Sequence, residues 1–399
     1  MNLMKWGLLI LLFPILSVAK AKVEDGYFAV KTKHLDSFRA TYQSVSVKEL
    51  KRDGGYSLVR LNNQQIMQIT THIHQLEHNC GGLIDLSVDV KAKRLSIFSV
   101  FDSFMDVPAI PEKAFTLDDK AKVLEVVNHL SKTEYEKTLR AFTSFPNRYA
   151  NGANGYEAAY WLRDTALKYA NDLGRKDVKA TAFETPRYQQ PSILITVPGT
   201  KPSLPGVLIG GHMDSYSGNK PAVDDDASGT IAAMETLRAI LASGKRFERN
   251  IFIAFYAAEE WGLHGSKVMA NEFKRQNIQL EGIMQLDMIA YSQKTNKHFT
   301  FVRDFTNDGL TNFTKTLAME YLNTPEDKIG DTVCGYGCSD HASWHRNGYR
   351  AVTPFEAHFD GMNDDLHTSR DTMALADIDH AFRFVQLGTA FVSELANPQ

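Results

Sequence analysis

The chain of 399 residues carries 44 Lys+Arg against 47 Asp+Glu, a formal net charge of −3, and 43% of its residues are hydrophobic. A balance this close to neutrality gives no electrostatic footprint for nucleic acid or an anionic membrane surface, and the length is enough to bury a large core and hold two domains. There is no HExxH, GxSxG or Walker sequence and no internal repeat, which removes the zincin, serine-hydrolase, P-loop and solenoid readings.

In chain order, residues 1–21 read as a signal peptide. Lys5 supplies an early positive charge, WGLLILLFPILSV is an apolar run too short to span a bilayer comfortably, and Ala19 and Ala21 are small residues of the kind found at cleavage sites. Export is the expectation, with no stable membrane association, because no later segment reaches the ~18 consecutive apolar residues of a spanning helix.

Residues 22–108 read as a small α/β unit. YSLVRL, the helix-like NNQQIMQITTHIHQLEHN, GGLIDLSVDV and RLSIFSV suggest strand, helix, strand, strand. Such a unit, placed behind a signal peptide and carrying none of the candidate catalytic groups, is expected to be a propeptide that assists folding and covers a cleft; a permanent accessory domain is the rival. The run from Phe104 to Lys113, with Pro108 and Pro111, reads as an exposed linker on which a processing protease would act.

Residues 109–399 form the expected catalytic domain. GVLIGGHMD, NIFIAFYAAEE and GIMQLDM are short apolar runs, partly β-branched, that read as buried strands delivering acidic or His residues at their C-terminal ends. RAVTPFEAHF reads similarly. Between the first two runs, residues 226–241 place Ala233, Met234, Leu237, Ile240 and Leu241 at helical spacing. The alternation predicts an α/β fold whose ligand crevice lies outside the carboxyl ends of the strands.

Five potential metal ligands fall at those ends: His212, Asp225, Glu260, Asp287 and His367. Two imidazoles and three carboxylates suit Zn²⁺, and one carboxylate with two oxygens can bridge a pair of ions about 3.5–4 Å apart. Glu259 is left over and is free to act as a general base. Cys334 and Cys338 flank Gly335 and Gly337, which allow a turn tight enough for a disulfide, a bond that would fix the loop bearing Tyr336. Cys80 is the odd thiol, inside the expected propeptide.

The motifs GGHMDS, DDDASG, AAEEWGLHGS, QLDM, CGYGCSDHASW and LHTSRDT, with FTSFPNRY upstream of them, resemble those of the co-catalytic zinc aminopeptidases, most closely the secreted bacterial leucyl aminopeptidases. The resemblance runs from about Phe115 to the C-terminus and implies the phosphorylase/hydrolase-like version of the α/β fold, a mixed central sheet flanked by helices on both faces. It also implies two Zn²⁺ per chain, one held by His212 and Asp287, the other by Glu260 and His367, with Asp225 bridging and Asp214 orienting His212. By the same resemblance Glu259 is the general base, Tyr336 donates to the tetrahedral oxyanion, and Met288, Phe355, Phe359, Met362 and Leu366 line the pocket for the first side chain.

The implied reaction is removal of the N-terminal residue, preferably Leu, Phe, Met or Tyr, from peptides or proteins with a free N-terminus by a monomeric secreted zymogen. The alternatives are a carboxypeptidase or a glutaminyl cyclotransferase on the same fold, or a binding module that has lost catalysis. His264, His298, His341, His345 and His358 are read as non-ligands.

Overall fold

A computed structural model describes residues 25–77 and 82–399; the expected signal peptide and Cys80 lie outside the described residues. The N-terminal unit runs β1 (Gly26–Lys31), α1 (Thr32–Thr41), β2 (Lys48–Asp53), β3 (Tyr56–Leu61), α2 (Asn63–Glu77), β4 (Leu83–Asp85), α3 (Ser87–Lys93) and α4 (Ile97–Met105). Its four strands form an antiparallel sheet in the order β2-β3-β1-β4.

Two segments differ from the sequence reading. GGLIDLSVDV is a strand only over Leu83–Asp85, because the Asp85 carboxylate turns back to accept the Ser87 N–H at 2.7 Å and the chain continues as α3. RLSIFSV starts a helix: Ser96 accepts the Ser99 N–H at 3.1 Å as an N-cap, and Val100, Phe101 and Phe104 share the buried face. The linker is also shorter than expected. Phe104 lies inside α4, buried under the Arg346 guanidinium 3.9 Å from its ring, and the Pro111 carbonyl is bound by Arg350 at 3.1 Å.

The remainder runs α5 (Lys120–Val127), α6 (Lys132–Phe142), α7 (Ala153–Asp172), β5 (Lys179–Phe183), β6 (Ser192–Val197), β7 (Gly206–His212), α8 (Gly229–Ala242), β8 (Ile251–Tyr256), α9 (His264–Arg275), β9 (Leu280–Gln285), β10 (Phe299–Val302), α10 (Asp308–Leu322), β11 (Ile329–Thr332), α11 (His341–Arg346), β12 (Ala351–Val352), β13 (Pro354–Phe355) and α12 (Ile378–Ala396). Six strands make the central sheet, in the order β12-β9-β7-β8-β6-β5, with β12, β9, β7 and β8 mutually parallel, β6 antiparallel to β8 and β5 antiparallel to β6. RAVTPFEAHF contributes to two sheets, β12 to the central one and β13 to a small sheet with β10 and β11.

Strand alternation accounts for the two-faced burial. Ile193, Ile195, Val207, Ile209, Ile251 and Ile253 point to the side covered by α7, α8 and α12, whereas Leu194, Leu208, Phe252 and Ala254 meet Met269 and Phe273 of α9 and Trp344 of α11 on the other. Since α8 leaves β7 on one face and α9 returns from β8 to β9 on the other, the connections part beside β7, the position at which open α/β sheets bind ligands. At Gly211 an added Cβ would come within 2.7 Å of the Thr230 N, so this residue lets the start of α8 lie directly against β7.

Candidate metal centre and substrate pocket

The candidate ligands converge beyond the carboxyl ends of β7, β8 and β9. His212 is the last residue of β7, Glu259 and Glu260 follow β8, and Asp287 follows β9. Asp225 precedes α8, and His367 comes from the loop before α12. All are buried.

The distances divide the set into two around one carboxylate. Asp225 Oδ1 lies 3.0 Å from His212 Nε2, which is also 3.5 Å from Asp287 Oδ1. Asp225 Oδ2 lies 3.0 Å from His367 Nε2, itself 2.9 Å from Glu260 Oε2. Asp226 also stands among His212 and Asp287. Its oxygens are already engaged, however, Oδ2 by the His212 N–H at 3.0 Å and Oδ1 by the Gly229 N–H at 2.8 Å, whereas Asp225 is the carboxylate that reaches an imidazole with each oxygen.

The charge balance calls for cations. Burial, reinforced by Asp225, pushes Glu260 up to about 7 against the pull of His367. Burial works against a charged His367, yet Glu260 and Asp225 hold it up at about 10. Burial likewise raises Asp225, but His212 and His367 outweigh it and keep its carboxyl well below the usual range. Glu259 is raised well above its ordinary value by burial, with His212 opposing and Asp340, Asp287 and Glu260 adding to the rise. Asp287 Oδ1 is buried without a hydrogen-bond partner among the described residues, while Glu260 Oε2 and His367 Nε2 face one another at 2.9 Å beside Asp225. Hard oxygen and imidazole donors left in this way inside an anionic pocket fit divalent zinc.

Several supporting residues were not foreseen. Arg148, fully buried, donates to the carbonyls of Met213 (2.9 Å), Pro221 (2.5 Å) and Ala222 (2.8 Å), and so ties the loop after β7 to the start of the Asp224–Asp226 run. Asp371 receives the N–H groups of Asp224 (2.9 Å) and Asp225 (3.1 Å). Ser339 donates to Asp287. Arg148 and Asp371 lie in FTSFPNRY and LHTSRDT, but nothing local in those segments signals that a guanidinium and a carboxylate are buried there.

Asp214 stands 3.6 Å from His212 Nδ1, too long for a hydrogen bond, and its firm contact is the Glu259 N–H at 2.9 Å. The geometry therefore has Asp214 fixing the backbone of the glutamate loop. His264, His298, His341, His345 and His358 belong to neither ligand group among the described residues; His341 is buried, its Nε2 3.2 Å from the Asp304 carbonyl.

Beside Asp287, an apolar cluster joins Met288, Val302, Tyr336, Phe355, Met362 and Leu366, with Phe359 packed against it. The Phe355 and Phe359 rings stack at 4.9 Å and 10°, and both line a cavity that reaches Asp287 and Met288. Cys334 and Cys338 form a disulfide, with Cα atoms 6.1 Å apart, at the base of the loop that carries Tyr336.

The family model for peptidase family M28 matches residues 192–391, a span that contains every candidate ligand and both glutamates. The chain belongs to peptidase family M28. Among M28 relatives it is similar to leucine aminopeptidase 1 of Sclerotinia sclerotiorum, with 33% identity over 74% of this chain and 82% of that protein. It is also similar to a probable leucine aminopeptidase of Trichophyton verrucosum, with 32% identity over 68% of this chain and 75% of the other. The LapA aminopeptidase of Legionella pneumophila superposes with a TM-score of 0.84 at 28% identity, covering 93% of this chain and 98% of its own. Porphyromonas gingivalis glutaminyl cyclase, at 17% identity and a TM-score of 0.54 over 67% of this chain and 99% of its own, shares the fold. M28 membership together with these aminopeptidase relatives makes this protein a zinc metallo-aminopeptidase.

Proposed function

We propose that the protein is an exported aminopeptidase that uses two zinc ions and removes large apolar residues from the N-termini of peptides and proteins. The observation that carries the two-ion reading is Asp225, whose oxygens each stand 3.0 Å from a different imidazole. In this reading His212 and Asp287 hold one ion, and Glu260 and His367 the other. When bound, zinc supplies Lewis-acid chemistry, lowering the pKa of water toward ~7 and polarising the scissile carbonyl.

Glu259, buried at the end of β8 with its backbone fixed by Asp214, accepts the proton of the attacking water and returns it to the departing amine. Tyr336 donates to the developing oxyanion from its loop beside the pocket. The stacked phenylalanines and Met288 receive the first side chain. The named relatives, one a leucine aminopeptidase and one a probable leucine aminopeptidase, support the same preference. Export rests on the N-terminal apolar run; among the described residues no helix is long and apolar enough to cross a membrane.

The test is zinc analysis of the purified protein together with a panel of aminoacyl substrates sharing one chromogenic leaving group. Two zincs per chain and preferential release from Leu, Phe, Met and Tyr are expected. One zinc per chain with cyclisation of N-terminal Gln would instead favour the cyclotransferase reading.

A further inference from the structure

The N-terminal unit does more than lie over the cleft. Ala258 and Trp261, which flank the two glutamates, are buried in one apolar cluster with Phe28 of β1, Leu61 of β3 and Ile66 and Ile69 of α2. At the end of β4 the Asp85 N–H donates to the Gly262 carbonyl at 3.0 Å, so the sheet edge is bonded to the loop that bears Glu259 and Glu260. The approach is backbone to backbone: Gly262 has φ +112°, and a Cβ there would stand 2.7 Å from the Asp85 N.

The Asp85 side chain, fully buried, receives Arg187 Nη1 and His264 Nδ1, each at 2.9 Å, and its carbonyl receives the Lys267 ammonium. All three partners belong to the catalytic part, and two of them follow the glutamate loop directly at the start of α9. Farther along the cleft, His74 of α2 lies 4.8 Å, ring to ring, from His367, and Lys31 of β1 sits 5.2 Å over the Tyr336 ring. The LapA match, at 93% of this chain, is too extensive to be confined to the catalytic part and takes in a counterpart of this unit.

We infer that Asp85 is a positioning residue for the Glu259–Glu260 loop, and that the N-terminal unit is a permanent part of the enzyme, not a propeptide shed on maturation. The unit acts through the loop: it sets where the base and one ligand stand, without itself touching the reacting atoms. The inference rests on the reading of Glu259 as the base.

Two measurements on the full chain decide it. In the first, residues 106–109 are replaced by the recognition sequence of a site-specific protease, and the cut protein is passed through a sizing column. Co-elution of both pieces with leucyl activity within about twofold of the uncut protein is expected, whereas release of the N-terminal piece with activity kept or raised would overturn the inference. In the second, Asp85→Asn should lower kcat by at least ~10-fold, with KM for leucyl substrates within about twofold, since a displaced base costs turnover more than binding. Wild-type kcat in that variant would refute the positioning role. Gly262→Ala, which drives a Cβ into the same contact, serves if Asp85→Asn does not fold, and its kcat is held to the same two outcomes. If the wild-type protein hydrolyses no aminoacyl substrate, the proposed function fails, while co-elution after cutting still decides whether the unit stays.

Discussion

The pocket beside Asp287 makes a quantitative demand on specificity. A leucyl side chain exceeds an alanyl one by three carbons; at ~0.8 kcal/mol per buried CH₂ this is roughly 2.4 kcal/mol, or about a 60-fold advantage in kcat/KM. Phe355 and Phe359, stacked at 4.9 Å, supply the aromatic wall, and Phe359 is the outer, partly exposed member. Phe359→Ala removes about half of that wall, so the leucyl advantage should shrink by roughly 1.2 kcal/mol, about eightfold, with the alanyl rate little changed. The assay is kcat/KM for leucyl and alanyl substrates carrying the same leaving group, in wild type and variant at one zinc concentration. A Leu/Ala ratio that moved by less than twofold would show that the side chain binds elsewhere. A wild-type preference for Lys or Arg would overturn the apolar reading and direct attention to Asp360 or Asp364, although Asp364 is already paired with Lys294 at 2.6 Å.

Three further outcomes are expected. Glu259→Gln should retain its zinc and lose at least ~10²-fold in kcat; zinc loss with a modest change in rate would mean that Glu259 and Glu260 exchange roles. Asp225→Ala should deplete both ions in metal analysis, whereas His212→Ala or His367→Ala should weaken chiefly one, and a fully loaded, fully active Asp225→Ala enzyme would exclude the bridge. Burial alone would raise the Asp85 pKa, but His264, Arg187 and Lys267 lower it from 3.8 to about 2. Its stabilising contribution, on the order of 2 kcal/mol, is thus fully present above pH ~4 and lost as the pH falls toward ~2. The denaturation midpoint of the wild type should therefore approach that of Asp85→Asn over this range, and a gap independent of pH would contradict the assigned network.

How legible the protein was depends on how local each signal is. Strands β7, β8 and β9 stood out because strands buried on both faces need continuous apolar runs, and their terminal His and acidic residues broke those runs at the crevice. The candidate ligands could be picked out for the same reason. Helix α4 was hidden because Ile97, Phe98, Val100 and Phe101 look β-prone until Ser96 is seen as a cap. Arg148, Asp371 and Asp85 were missed because each takes its meaning from partners distant in the chain: Arg148 from carbonyls 65 or more positions away, Asp85 from His264 at a separation of 179. A charged residue reads as solvated surface when only its neighbours in sequence are known.

The stretch 106–110, between an α4 held by Arg346 and a Pro111 held by Arg350, is also a tether. While it is intact, the N-terminal unit meets the glutamate loop at an effective concentration on the order of millimolar, as for two modules joined by a short linker, and even a modest interface stays closed. Once it is cut, the same contact becomes bimolecular and answers to dilution. Survival of the nicked form at low concentration then depends on the intrinsic affinity of the Asp85 interface, and activity that decays on dilution would report directly on how much that buried carboxylate contributes.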